Sequence, residues 1–217
     1  MSIKMNKYID HTNLKPTATE ADIEKLCREA AENGFASVCI NPCNIPIAKK
    51  LLDGTDVMVC TVIGFPIGAN SVTVKAAEAA EAYKMGCDEF DMVINVGALK
   101  DGKLDYIRDE IAAVVAAAKG KCVKVIIETG LLTDEEKVTA VKLSCEAGAT
   151  FVKTSTGVMS TGATVADVAL MKKNVSNGVK VKASGGIKTA EFAEALIAAG
   201  AERIGTSAGI AIVSDNA

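Results

Sequence analysis

Two lysines carry the chemistry this sequence is best suited to. Lys153 lies in Phe151-Val152-Lys153-Thr154-Ser155, and Lys182 lies in Val179-Lys180-Val181-Lys182-Ala183-Ser184. A primary amine adds to a carbonyl to give a Schiff base, but only when it is uncharged. An ordinary lysine is neutral in only about one molecule in a few thousand at pH 7. A second ammonium at roughly 5 Å, with an effective dielectric near 20, raises the energy of the protonated form by about 3 kcal/mol. Partial burial acts in the same direction. Asp91, in Glu89-Phe90-Asp91-Met92-Val93-Ile94-Asn95-Val96, is the carboxylate that shares their pattern. Set against both lysines it would favour their charged forms, so its expected part is proton transfer more than charge.

Taken singly, a lysine in a strand is more often a solvated edge residue or one half of an ion pair. The elements that must carry these residues argue otherwise. Short β-branched runs at 8–12, 37–40, 57–63, 89–96, 123–128, 151–155, 179–184 and 203–206 read as eight strands. Helical periodicity fills 20–32, 45–52, 72–85, 104–118, 134–147, 165–173 and 190–199, and a short eighth helix is expected from about 207. Four of the helices end in Asn33-Gly34, Met85-Gly86, Ala147-Gly148 and Ala199-Gly200, where glycine suits the left-handed position after a helix. Eight βα units with no linker or low-complexity break predict α/β class: one (β/α)8 TIM barrel domain over residues 1–217. An open doubly wound sheet is the alternative, but no G-x-G-x-x-G follows the first or second strand.

A closed barrel has no edge strand, so polar residues alternating with apolar ones must point inward. This sets Asp91 with Asn95, Lys124 with Glu128, Lys153 with Ser155, and Lys180 and Lys182 with Ser184 on inner faces. Lys124 and Lys180 come early in their strands and are expected to be ion-paired. Lys153 and Lys182 come nearer the C-terminal ends, where barrel active sites form. The loops after the seventh and eighth strands, Ser184-Gly185-Gly186-Ile187-Lys188-Thr189 and Gly205-Thr206-Ser207-Ala208-Gly209, stand where barrels commonly bind phosphate.

Composition narrows the class further. With 24 basic against 27 acidic residues and no run of like charge, neither a nucleic-acid footprint nor a basic membrane patch is expected. No window has the apolar length of a membrane span or a signal peptide, which suggests a cytoplasmic enzyme. The seven cysteines are scattered through apolar stretches and read as reduced, packed thiols. Cys39 and Cys43 have no second pair, and His11 is the only histidine, so no metal site is expected.

The ordered motifs resemble the deoxyribose-phosphate aldolase family. They are Ile9-Asp10-His11-Thr12-Asn13-Leu14-Lys15-Pro16, Val38-Cys39-Ile40-Asn41-Pro42, Gly64-Phe65-Pro66, Asp88-Glu89-Phe90-Asp91, Val123-Lys124-Val125-Ile126-Ile127-Glu128-Thr129, Phe151-Val152-Lys153-Thr154-Ser155-Thr156-Gly157 and Val181-Lys182-Ala183-Ser184-Gly185-Gly186. The resemblance implies Lys153 as the Schiff-base lysine, Lys182 as the neighbour that tunes it and Asp91 as a proton-transfer group. It further implies that Gly157, Gly185, Gly186, Lys188, Gly205 and Ser207 line a phosphate site, with Thr12 and Cys39 near the small carbonyl end. Lys188 stands where many members carry arginine, a point charge in place of a two-pronged contact. Val158 and Ala208 differ from some members too, and the tail ends at Ala217 without the terminal tyrosine that some use.

The implied reaction is reversible cleavage of 2-deoxy-D-ribose 5-phosphate to glyceraldehyde 3-phosphate and acetaldehyde, with no metal or organic cofactor. The partners expected are small phosphosugar and aldehyde substrates, with a homodimer compatible with the sequence. Another Schiff-base barrel, such as a different phosphosugar aldolase or a transaldolase, is the alternative among enzymes, and a silent barrel that only binds sugar phosphate is the alternative outside them. A metal-dependent aldolase fits poorly with a single histidine, and activity surviving EDTA would agree with that.

Overall fold

The computed structural model describes residues 5–214. Eight parallel strands, β1 (Ile9–Asn13), β2 (Ser37–Ile40), β3 (Met58–Ile63), β4 (Glu89–Val93), β5 (Cys122–Ile126), β6 (Phe151–Lys153), β7 (Lys180–Ser184) and β8 (Arg203–Thr206), close into a barrel in chain order. Closure is through β1 and β8, with Asp10 opposite Gly205. The helices are α1 (Glu20–Glu32), α2 (Ile45–Leu51), α3 (Val72–Lys84), α4 (Val96–Lys100), α5 (Leu104–Ala117), α6 (Asp134–Glu146), α7 (Val165–Asn174), α8 (Ala190–Ala198) and α9 (Gly209–Ser214). This is the expected (β/α)8 TIM barrel.

Local chemistry explains the boundaries. Thr19 and Thr133 close capping boxes with Asp22 and Glu136, and Ser71, Thr164 and Thr189 cap α3, α7 and α8. Gly34, Gly86, Gly148 and Gly200 all adopt positive φ just past their helices, as their spacing predicted. The apolar half of each strand, including Val38, Val59, Phe90, Val125, Val152, Val181 and Ile204, joins one continuous core under the helices. The other half faces the barrel axis and is mostly polar.

Three expectations about strand ends need correction. The run 89–96 ends as a strand at Val93, because the Asn95 side chain accepts from the Ala98 N–H at 3.0 Å and starts α4. Asn95 therefore caps a helix and does not share the interior with Asp91. Glu128 and Ser155 lie beyond their strands, which stop at Ile126 and Lys153. Lys180 keeps the inner-face phase but sits at the open N-terminal rim, its side chain 51% exposed, with Glu202 at 3.9 Å. Residues 1–4 and the last three of the tail, 215–217, lie outside the described residues, and with them the end that lacks tyrosine.

Candidate active site

Inside the barrel the alternating residues build an ionic cluster where most barrels of this kind hold branched aliphatics. Asp91, fully buried on β4, accepts at Oδ2 from both Lys153 Nζ and Lys182 Nζ, each at 2.7 Å. The two amines are therefore no farther apart than about twice that distance. Asp91 Oδ1 accepts from Lys124 Nζ at 2.9 Å and from the Cys60 thiol at 3.2 Å. Behind this layer lies a second. Asp10 on β1 faces Lys182 at 2.5 Å and accepts from Ser37 Oγ and the Arg203 guanidinium. Arg203 also makes a two-pronged contact with Glu89, which faces Lys124 at 2.6 Å.

The charges decide protonation. Burial alone would raise the Asp91 carboxyl, but Lys124, Lys153 and Lys182 outweigh it and hold the group well below the usual carboxylate range. Burial likewise acts to raise Asp10, and Lys182, Arg203 and Lys124 bring it below that range. Burial would strip Lys182 of its proton, but Asp10 and Asp91 hold the amine above the ordinary lysine range. Lys124 is held there too, by Asp91, Cys60, Glu89 and Asp10. Three carboxylates, Asp10, Glu89 and Asp91, are thus matched by Lys124, Lys182 and Arg203.

A cavity of about 350 Å³ opens at the C-terminal ends of the strands, the size of a small-ligand site. Of the residues singled out from the sequence, Thr12, Lys153, Gly157, Gly185, Gly186, Lys188, Gly205 and Ser207 line it. Lys182 and Asp91 stand directly behind Lys153 and are fully buried. Cys39 does not reach the wall: it is buried with Cys60 and Val62, packed beneath Leu14 and Phe65. A hydrogen bond with Cys60 draws the Cys39 thiol below its usual range, while burial pushes the Cys60 thiol well above it.

Glycine is needed at two points on this wall. A Cβ on Gly205 would stand 2.9 Å from Ser184 Cβ and 3.1 Å from Lys182 Cε, so only a bare backbone lets the lysine pass. Gly185, at φ +90°, lies against Gly157 and Gly162 with no room for a side chain. The Gly185 loop is tied to its neighbour by the Ala163 N–H, which donates to the Ser184 and Gly185 carbonyls at 3.1 Å.

Sequence reasoning passed over Asp10, Glu89 and Arg203 as cluster members. For Glu89 and Arg203 the signal was present, since Phe90 and Ile204 next to them pack outward, but the first residue of a strand is easily read as a solvated end; Asp10 stands between Ile9 and His11, where the alternation is weaker. The sulfurs of Cys39 and Cys60 and an Asp91 oxygen lie within 4.8 Å of one another. Asp91 is already held by Lys124 and Lys182, whose charges would oppose a divalent cation, so the group does not suit a metal.

A family model described as DeoC/LacD family aldolase matches residues 4–215. The deoxyribose-phosphate aldolase of Enterococcus faecalis is 61% identical over 213 residues, which cover 98% of this chain and 97% of that protein. The protein of the same name from Brevibacillus brevis is 58% identical over 212 residues, covering 98% and 96%. The solved deoxyribose phosphate aldolase of Aeropyrum pernix, described as a tetramer, matches with a TM-score of 0.89 at 35% identity, covering 98% of this chain and 90% of that one.

Proposed function

The chain belongs to the DeoC/LacD family of aldolases, and on that footing we propose that Lys153 is its Schiff-base amine. The reaction is the reversible cleavage of 2-deoxy-D-ribose 5-phosphate to D-glyceraldehyde 3-phosphate and acetaldehyde. One observation carries the choice of lysine: of the seven charged residues in the cluster, Lys153 is the one that also lines the cavity.

In this reading Lys153 attacks the C1 aldehyde of the open-chain sugar and water leaves, giving an iminium. The C3 hydroxyl then gives up its proton, the C2–C3 bond breaks, and its electron pair moves through C2 and C1 onto nitrogen. The three-carbon phosphate departs. The enamine is protonated at C2, and water releases acetaldehyde and the free amine. Lys182 is the proton donor of the pair and Asp91 the relay between it and Lys153, a role supported by the oxygen they share. Gly157, Gly185, Gly186, Gly205, Ser207 and Lys188 hold the phosphate at the rim, which fixes C1 relative to the amine. Thr12 stands on the wall beside them, while Cys39 shapes the small-aldehyde end from behind Leu14 and Phe65.

We read residues 1–217 as one catalytic domain, since the strands share a single closed sheet. The cysteines of the described residues are free thiols, in keeping with a cytoplasmic setting. No helix among the described residues is long and apolar enough to cross a membrane. An assembly of identical subunits accords with the tetramer described for the A. pernix protein. A homodimer is the smallest such assembly, and sedimentation equilibrium would distinguish it from a monomer.

Borohydride reduction in the presence of acetaldehyde should leave a two-carbon adduct on the peptide that contains Lys153, and Lys153→Leu should show neither adduct nor turnover. An adduct on another lysine, or turnover by the variant, would refute the assignment.

A further inference from the structure

We propose that Glu128 is a positioning residue for the phosphate-holding rim. The proposal rests on the reading above, in which Gly157 and Gly185 belong to that rim.

The backbone at Glu128 is unusual. Ile127 and Thr129 donate to the consecutive carbonyls of Lys153 and Thr154, where a regular ladder would skip a residue. Glu128 is therefore the extra residue of a bulge, and it turns into the left-handed region at φ 56°, ψ 63°. Residues with a side chain adopt that conformation uncommonly, and Glu128 is the buried one of the three that do so among the described residues, Lys119 and Asn177 being exposed.

What fixes it is the side chain. Glu128 is 2% exposed, and among the described residues its carboxylate has no basic partner within ion-pair distance. Its oxygens instead accept from the Thr156 N–H at 3.1 Å and the Ser160 hydroxyl at 2.5 Å, both in the loop between β6 and α7. The same loop carries Gly157. Thr156 passes the constraint on, since its hydroxyl accepts from the Val158 and Met159 N–H groups at 3.3 and 3.2 Å. A Cβ on Gly130 would meet Ser160 Oγ and Thr161 Oγ1 at 2.7 Å, so the bulge and the loop are already in close contact.

The loop then fixes its other neighbour. A Cβ on Gly162 would fall 2.0 Å from the Gly185 carbonyl oxygen, and the Gly157 and Gly185 backbones touch directly. One carboxylate thus sets the loop after β6, and that loop sets the peptides after β7. Lys153 is held separately by Asp91, so loosening the loop should spare the amine.

The experiment compares wild type, Glu128→Ala, Glu128→Gln and Ser160→Ala on 2-deoxyribose 5-phosphate and on unphosphorylated 2-deoxyribose, with inorganic phosphate as competitor. Glu128→Ala should raise both KM for the phosphorylated sugar and Ki for phosphate about tenfold, the equivalent of one lost hydrogen bond to a charged group. Its kcat/KM for the unphosphorylated sugar should stay within about threefold, because the amine is untouched. Glutamine still accepts from Thr156, and the Ser160 hydroxyl can turn to meet its amide, so Glu128→Gln should restore most of the loss. Ser160→Ala should move the same two constants in the same direction, to a smaller extent. Equal losses on both sugars would reduce Glu128 to general support of the fold and overturn the proposal. Unchanged KM and Ki in Glu128→Ala would overturn it while leaving the rim intact as a phosphate site. Failure of phosphate to compete in the wild type would instead remove the rim reading, and this proposal with it.

Discussion

Lys182 and Lys180 stand two residues apart on the same strand face, yet one is fully buried between two carboxylates and the other is half exposed at the rim. What separates them is depth along the axis, and depth settles their chemistry. Replacing Lys182 by leucine removes one of three positive charges from a balanced cluster. The repulsion that this ammonium exerts on a second positive charge at the shared Asp91 oxygen goes with it, so the nucleophile would be released only at higher pH. The pH–rate profile of Lys182→Leu should accordingly move to the alkaline side, with activity at pH 7 reduced by about a hundredfold or more. A profile of unchanged shape would break the link between the two amines. Asp10, which faces Lys182 from the far side, escaped sequence reasoning because alternation names a face and says nothing about which residues on different strands lie level.

At the scale of elements, strand and helix positions were largely legible. Period-two runs, Ser and Thr caps and the four glycines after helices are local signals, and each fell within a few residues of the observed boundary. Strand ends were less legible, because Asn95 and Glu128 continue the alternating pattern while their backbones have already left the sheet. That departure depends on partners 3 and 28 to 32 residues away, which periodicity does not contain. Contact between strands was also out of reach, including the passage of Lys182 beside Gly205. A methyl group there would press on the lysine stem and on Ser184. Gly205→Ala should lower kcat by about tenfold or more through misplacement of the Lys182–Asp91 pair, and should cost about 1–3 kcal/mol of stability. Wild-type kcat in that variant would mean the stem can move without consequence.

For the whole molecule, the buried cluster ties stability to pH. Asp10 and Asp91 have carboxyls below their unfolded value, so their contribution is present above the ordinary carboxylate range, near pH 4, and is lost as the pH falls below it. Lys124 and Lys182 have amines above theirs, so their contribution is present below about pH 10 and is lost as the pH rises beyond. Urea midpoints should therefore be level between about pH 5 and 9 and drop steeply at pH 3; a midpoint at pH 3 equal to that at pH 7 would show that the cluster contributes nothing.

Six fixed charges that already cancel leave no counterion for a seventh. The iminium is that seventh charge, formed on the cavity wall beside an Asp91 oxygen that Lys182 already shares, and the enamine that follows is neutral at nitrogen. Carbon–carbon cleavage makes the nitrogen neutral and passes the C3 hydroxyl proton to the relay, so the charge moves from the reacting atoms to the side chains behind them while the total stays the same.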